Sequence, residues 1–471
     1  MTRTNWGFLL TGVPLAIALG APALGADMAV KAPLLKAPPA APYAWTGWYI
    51  GANAGYGLGQ GQGTFAFGPG IAGGAGIETF NAMPAGAFGG GQLGYNYQIN
   101  SFVLGAETDI QGAGISDART CLLSCSGGTF ALIDQKLNWF GTTRGRVGLA
   151  TGPVLTYATA GVAYGGTETG VTTAANGATA SSITSATKTG WAWGTGVEAA
   201  LGGNWTAKAE YLYVNLGSSS VSNTVPGAVS IFNVKNQEQI FRGGINYRFG
   251  PDQTAAIGPT YNWAGFFVGG TFGYGIGRND STFIVPAANA EAFFLSPRGF
   301  DAGGILGYNW QFGSWIVGVD ADIQGSTGSG YLTCAELCTG AGATTIDQKL
   351  LWFGTVRGRL GYAIGPALFY ATGGAAYGEV KENITQPAAG SSFSHSKSGF
   401  AVGGGIENKL DFFGLLGPNW TTRTEYLYVD LGSIRDTFSD PAVPGGAVQT
   451  LTSNLHEHVW RTVVSYKFGA P

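Results

Sequence analysis

The sequence predicts an all-β fold: two tandem, antiparallel, transmembrane β-barrels of eight strands each, with one sixteen-stranded barrel as the alternative. Three observations carry this reading. The chain is written twice, each copy contains strands of alternating polarity, and very short turns alternate with long connections rich in Gly, Ser and Thr.

The duplication is read directly. Ile133–Gly148 (IDQKLNWFGTTRGRVG) returns as Ile346–Gly361 (IDQKLLWFGTVRGRLG), a displacement of 346 − 133 = 213. The same displacement carries Leu93–Gln98 onto Leu306–Gln311, and Cys121 and Cys125 onto Cys334 and Cys338. Glu210–Gly217 (EYLYVNLG) recurs as Glu425–Gly432 (EYLYVDLG), slipped by two residues. Solenoid repeats run about 20–50 residues. A period this much longer is a whole domain repeated.

Composition sets the environment. Of 471 residues 81 are Gly, 13% are aromatic and only 11% are charged, against about 25% charged in an average soluble domain. No mature stretch reaches the ~18 consecutive apolar residues of a spanning helix. Barrel strands evade that criterion because lipid-facing and lumen-facing residues alternate. A net charge of −3 gives no reason to expect nucleic acid as a partner. At the N-terminus Arg3, the apolar run Gly7–Leu19 and the small residues Ala23–Ala26 read as a secretory signal peptide over 1–26. Residues 27–42 follow with Pro33, Pro38, Pro39 and Pro42, an extended periplasmic tether. The destination is the outer membrane of a Gram-negative bacterium.

In the first copy, a barrel is expected over 43–250, with strands near Trp48–Leu58, Gly90–Gln98, Phe102–Gly112, Leu137–Ala150, Val154–Gly165, Gly190–Leu201, Trp205–Leu216 and Glu238–Phe249. Each is near or above the ~9–11 residues a tilted strand needs to cross a bilayer. Asn100–Ser101, Thr151–Gly152 and Gly203–Asn204 are tight turns, whereas Gly59–Gly89, Ala113–Lys136, Gly166–Thr189 and Gly217–Gln237 read as long loops. That alternation is the outer-membrane pattern of periplasmic turns and extracellular loops. The second copy repeats it over 263–471. Residues 251–262 form a linker of 262 − 251 + 1 = 12 residues, able to span about 40 Å. One shared barrel would require a much shorter joint there.

Alternation within strands supports the assignment. On Phe102–Gln111 the residues Phe102, Leu104, Ala106 and Ile110 take one face and Glu107, Asp109 and Gln111 the other. Charge on the lipid face at mid-bilayer would cost about 2–4 kcal/mol for Arg or Lys. Trp45, Trp48, Trp191, Trp193, Tyr211 and Tyr213 are expected to form aromatic girdles.

The polar faces assemble a nearly balanced inventory. The first copy supplies Glu107, Asp109, Glu198 and Glu210 against Arg144, Arg146, Lys208, Arg242 and Arg248. The second supplies Asp320, Asp322, Glu407 and Glu425 against Arg357, Arg359, Arg423, Arg461 and Lys467. An eight-stranded barrel is only wide enough for side chains to fill it, so these charges are expected to neutralise one another as a plug; a narrow polar conduit is the functional alternative.

Cys121, Cys125, Cys334 and Cys338 fall in the second long connection of each copy. Export and an even count point to local disulfides that stiffen a surface loop. The three histidines, His395, His456 and His458, all lie in the second copy; His456 and His458, two apart at the head of the last strand and without a third ligand, read as rim residues rather than a metal pair. Gly89, Gly91 and Gly94 satisfy G-x-G-x-x-G but open a strand, which removes the dinucleotide reading. No Ser/His/Asp set recurs in both copies, and no enzymatic activity, metal or cofactor is expected.

WTGWYIGANAGYG after a Pro-rich tether, LGYNYQ, WFGTTRGRVG and EYLYVNLG resemble the alpha-proteobacterial outer-membrane β-barrel family, part of the OmpA-type group of eight-stranded barrels. The family's relatives include major surface proteins and haemin-binding proteins. The resemblance covers almost the whole mature chain, once per copy, although family members usually carry a single barrel. The loop alternation and the balanced interiors point to a structural outer-membrane surface protein with plugged, salt-bridged barrels and long extracellular loops. The alternatives are porin-like passage of small solutes, or surface binding of a ligand (haem) or a host, for which His456 and His458 are the candidate iron ligands. Expected partners are outer-membrane lipid and lipopolysaccharide, the outer-membrane assembly machinery, and peptidoglycan or a surface ligand.

Overall fold

The computed structural model describes residues 43–68, 76–122, 130–226, 228–250, 261–285, 289–335, 344–386, 389–410, 416–439 and 448–469. The signal-peptide and tether segments, and most of the linker, lie outside these. Among the described residues the regular elements are all strands. In the first copy they are β1 (Gly47–Gly59), β2 (Gly61–Phe67), β3 (Gly76–Ala82), β4 (Ala85–Ile99), β5 (Phe102–Leu122), β6 (Phe130–Thr151), β7 (Val154–Ala175), β8 (Ala178–Gly202), β9 (Trp205–Val225) and β10 (Ala228–Arg248). The second copy begins with β11 (Gly265–Gly277), β12 (Asn279–Val285), β13 (Asn289–Leu295), β14 (Arg298–Phe312), β15 (Trp315–Ser326) and β16 (Ser329–Ala335). It ends with β17 (Thr344–Ile364), β18 (Ala367–Thr385), β19 (Gly390–Lys409), β20 (Trp420–Ser439) and β21 (Val448–Lys467).

Pairing decides between the two architectures. β1 pairs with β4 on one side and with β10 on the other, from Tyr49↔Arg248 to Gly59↔Glu238. The ring β1-β4-β5-β6-β7-β8-β9-β10 therefore closes on itself. β11 likewise pairs with β14 and with β21, from Phe267↔Lys467 to Gly277↔Glu457. The chain is two eight-stranded barrels, and the sixteen-stranded alternative does not occur. Closure satisfies every strand edge within each ring, which hydrocarbon demands because it offers no hydrogen bonds of its own.

The short turns fall where the sequence puts them, with positive φ at Asn100 (54°), Gly152 (61°) and Gly203 (54°). The long loops do not. β7 runs to Ala175 and β8 resumes at Ala178, joined by Asn176 and Gly177 at φ 53° and 76°. Positive φ at both central residues is what a two-residue type I′ hairpin requires, and Asn-Gly is its preferred sequence. The Gly/Ser/Thr stretches are thus mostly strand, rising well past the roughly 9–11 residues that cross the bilayer. Short polar β-formers pair as readily above the membrane as apolar ones within it, because the ladder needs only backbone.

A β-bulge between Leu137 and Trp139 in β6 reverses the phase of the inward face. Below it Phe140, Thr142, Arg144 and Arg146 point inward; above it Leu137, Gln135 and Ile133 do. The second copy repeats the device between Leu350 and Trp352. One extra residue moves every later side chain to the opposite face.

The core is the barrel interior, built in layers. In the first copy Trp45, Val103, Leu155 and Tyr157 fill the short-turn end. The charged layer lies above them, then a belt including Phe88, Phe140, Leu212 and Ile240. Beyond the bilayer Phe65, Phe80, Ile133, Val221 and Phe232 cap the mouth, with β2 paired to β10 there. The second copy is capped by Phe283, Phe293, Ile346, Phe438 and Leu451.

Trp45 is therefore not a girdle residue: it is fully buried, and its Nε1 donates to the Gly152 carbonyl at 3.0 Å. Tyr211 also leaves the girdle, because the second barrel covers it. Trp48, Trp191 and Trp193 remain exposed on the outer wall.

Candidate functional site

All eighteen interior charges named above are buried. In the first barrel cross-strand register sets Glu107 opposite Arg144 and Arg242 opposite Glu210. Arg144 Nη2 lies 2.7 Å from Glu107 Oε1 and 2.9 Å from Asp109 Oδ2, and Nη1 lies 3.1 Å from Glu210 Oε1. Arg242 Nη2 reaches Asp109 Oδ2 at 2.9 Å, and Lys208 Nζ reaches Glu107 Oε1 at 2.8 Å. Arg146 pairs with Glu198 at 3.1 Å and sits over the rings of Tyr49 and Tyr157.

Residue types other than charges complete the network. Tyr49 and Tyr157 donate to Glu107 (2.8 Å) and Glu210 (3.0 Å), and Thr142 Oγ1 donates to Asp109 at 2.8 Å. An amide ladder runs beside them: Asn53 donates to Gln92 (2.5 Å), Gln92 to Asn246 (2.7 Å), and Asn246 to Glu198 (2.9 Å). Gly94 makes room for Tyr49, since a Cβ there would lie 2.2 Å from the Tyr49 hydroxyl. Sequence reading placed Asn246 on the polar face of the last strand but missed the tyrosines and the other two amides. Their inward phase on strands bearing Glu107 and Arg144 was the available signal.

The second barrel builds the same centre. Arg357 Nη2 contacts Asp320 (2.9 Å) and Asp322 (3.1 Å), Nη1 contacts Glu425 (3.0 Å), and Arg461 contacts Asp322 (2.9 Å). Arg359 meets Glu407 at 2.6 Å, and Arg423 meets Asp320 at 3.4 Å. Arg248 and Lys467 stand apart from both centres. Arg248 donates to the Ala44 carbonyl at 2.5 Å and lies over Tyr43 and Trp45. Lys467 donates to the Asn262 and Ala264 carbonyls and lies over Tyr261. Each holds the segment entering its barrel across the short-turn opening.

Above the bilayer the further buried acids include Glu78, Glu382 and Asp436. Burial pushes the Glu78 carboxyl up to about 8. Burial, then the neighbouring Asp436, pushes Glu382 up to about 8. Asp436 also bonds His395 at 2.8 Å. His456 and His458 lie on the outer wall rather than at a lumen rim; His458 is buried and bonded to the Tyr426 hydroxyl at 2.7 Å. The disulfide expectation falls on the side chains of Cys121, Cys125, Cys334 and Cys338, which lie outside the described residues.

Comparison with known proteins agrees with this architecture. The family model described as "Outer membrane protein beta-barrel domain" matches twice, over 29–249 and 253–468. The 31 kDa outer-membrane immunogenic protein of Brucella melitensis is 36% identical over 232 residues, covering 48% of this chain and 93% of its own. The 22 kDa outer membrane protein of Rhizobium leguminosarum bv. viciae is 33% identical, covering 38% and 70%. Among solved structures, the outer membrane protein OprG of Pseudomonas aeruginosa covers 45% of this chain and 98% of its own, at 14% identity and a TM-score of 0.30. With a closed eight-stranded ring in each matched segment, the chain belongs to the outer membrane protein beta-barrel family, as a tandem pair of its domains in a Gram-negative outer membrane.

Proposed function

We propose that the chain is a structural surface protein: two plugged barrels that anchor extended β-hairpins outside the cell. The charged centre of each barrel carries this reading. Arg144 and Arg357 each bridge two acids of the neighbouring strand and a third from across the lumen, which supports a filled interior in a barrel already narrow. Apolar layers above and an aromatic plug below add to the closure. The Brucella melitensis relative is named immunogenic, which fits hairpins that antibodies reach. Lipopolysaccharide surrounds the outer walls, the assembly machinery inserts the barrels, and residues 27–42 act as a periplasmic spacer within reach of peptidoglycan. The acids and bases of each charged centre are paired with one another, which supports a structural role for them.

Conductance of the purified protein in planar bilayers tests the proposal. Silence, or rare openings of tiny amplitude, is expected. Stable nanosiemens steps would overturn the plug and make solute passage the function. Protease added to intact cells should cut near Asn176–Gly177 and spare Asn100–Ser101.

A further inference from the structure

Each barrel hides a strip of the wall that lipid would otherwise touch. The strip carries rings that meet in pairs across the two barrels. Tyr211 meets Trp460 with centroids 6.1 Å apart, and Tyr426 meets Phe241 at 4.8 Å. The repeat motifs equate Tyr211 with Tyr426 (426 − 211 = 215) and Phe241 with Trp460 (460 − 241 = 219). The second contact is therefore the first with the halves exchanged.

Two further levels obey the same exchange. Towards the short turns, Val154 and Val197 cluster with Ala367 and Ile406, their own counterparts at 367 − 154 = 213 and 406 − 197 = 209. Above the bilayer, Asn81 Nδ2 donates to the Phe294 carbonyl at 3.1 Å, and Phe294 is the counterpart of Asn81 (294 − 81 = 213). A surface on which residue i meets j while j meets i is isologous, the hallmark of a two-fold dimer.

Polarity adds an independent argument. Gln239 and His458 are counterparts (458 − 239 = 219) on outward-facing positions, yet they are only 2% and 5% exposed. Each is hydrogen-bonded to the seam tyrosine of its own barrel, Tyr211 to Gln239 and Tyr426 to His458. Elsewhere on the outer wall, exposed positions carry Leu104, Ile110, Val147 and Val162. Polar side chains are expensive against lipid and sit where protein covers them.

We infer that this strip is a self-complementary docking surface, and that the chain is a covalently linked barrel dimer. The partner the surface fits is a second barrel bearing the same aromatic and Tyr–amide or Tyr–imidazole strip, and the 251–262 linker only raises its effective concentration.

The test uses the full chain with its four cysteines replaced by serine and a protease site placed within 251–262. Heat-modifiable gel mobility verifies that both barrels are folded. After cleavage in mild detergent, the two halves should co-elute; separate elution would overturn the inference. Cysteine pairs then test reciprocity. Tyr211→Cys with Trp460→Cys, and Phe241→Cys with Tyr426→Cys, should both be joined by a short bismaleimide, leaving the cleaved halves as one band. The lipid-facing pair Trp48→Cys with Trp315→Cys should not be joined. Joining of only one seam pair would overturn the two-fold relation, and equal joining of the lipid-facing pair would overturn the seam.

Discussion

The two barrels share one wall design and differ in how they fill it. Tyr49, Glu107 and Lys208 of the first stand where the second has Phe267, Asp320 and Arg423. A long acid and a shorter base, 2.8 Å apart, become a short acid and a longer base, 3.4 Å apart. The tyrosine hydroxyl that served the longer acid is gone, and Arg423 now lies over the Phe267 ring. The amide ladder Asn53–Gln92–Asn246 is replaced by Thr271, Ile305 and Ser465, and Ile305 packs with Phe267 and Val463. The lesson is that interior residues exchange as sets whose lengths and hydrogen-bonding capacities compensate, while Arg144 and Arg357 hold the same three-acid position.

The difference has an energetic side. Among the described residues of the second barrel six buried guanidinium nitrogens lack a protein acceptor: Arg357 Nε, Arg359 Nε and Nη1, Arg423 Nε and Nη2, and Arg461 Nη1. In the first, Arg146 Nη2, Arg242 Nη1 and Arg248 Nη1 do. A buried donor left unmatched costs about 1–3 kcal/mol, so the first network is the better satisfied.

Removing an acid should have the largest effect and expose that inequality. Glu107→Ala strips a carboxylate from Arg144, Lys208, Arg242 and Tyr49, and should destabilise by about 3–5 kcal/mol, as broken buried pairs do. Asp320→Ala, which faces Arg357 and Arg423, should cost less. Thermal unfolding in detergent, followed by gel mobility, reads both. The interiors are separate, so the double variant should add within about 0.5 kcal/mol; a larger departure would mean that the barrels are coupled.

Swapping the sets tests compensation. Glu107→Asp and Lys208→Arg should each destabilise the first barrel, and together with Tyr49→Phe they should recover part of the loss. The coupling expected for neighbours in one network is about 0.5–3 kcal/mol. If the triple variant is no better than the sum of its parts, the sets are not interchangeable. A smaller effect is expected from Gln92→Ile, which copies Ile305 into the ladder and removes the partner of Asn53 Nδ2 and of Asn246 Oδ1, at about 1–3 kcal/mol.

The smallest effect is local and depends on pH. Glu78 titrates at about 8 in the fold against an ordinary 4.5. The folded cap therefore binds the proton more tightly than the unfolded chain does, and its contribution is complete below about 4.5 and lost as pH rises through about 8. Amide exchange in β2 and β3, corrected for intrinsic rates, should show protection falling between pH 5 and 8.5. Glu78→Gln should flatten the trend; an unchanged slope would assign it elsewhere. Glu382, with the same value, should give a parallel trend in β18.

The sequence alone determined the fold class, the two copies, the tight turns and the charges destined for the interior. It could do so because each rests on a local signal: period-two polarity, turn residues at fixed joints, and the cost of charge against lipid. The tertiary structure decided the rest. The Gly/Ser/Thr stretches became strands because ladder pairing depends on a neighbouring strand rather than on side-chain polarity. The bulge at Asn138 hid part of the alternation by reversing its phase. Trp45 became a plug and Tyr211 a seam residue although both carry the strand-end or apolar-phase aromatic signature of a girdle residue, and only the surfaces packed against them tell the three apart. The choice of two rings over one was likewise made by register, when β10 returned to β1 and β21 to β11.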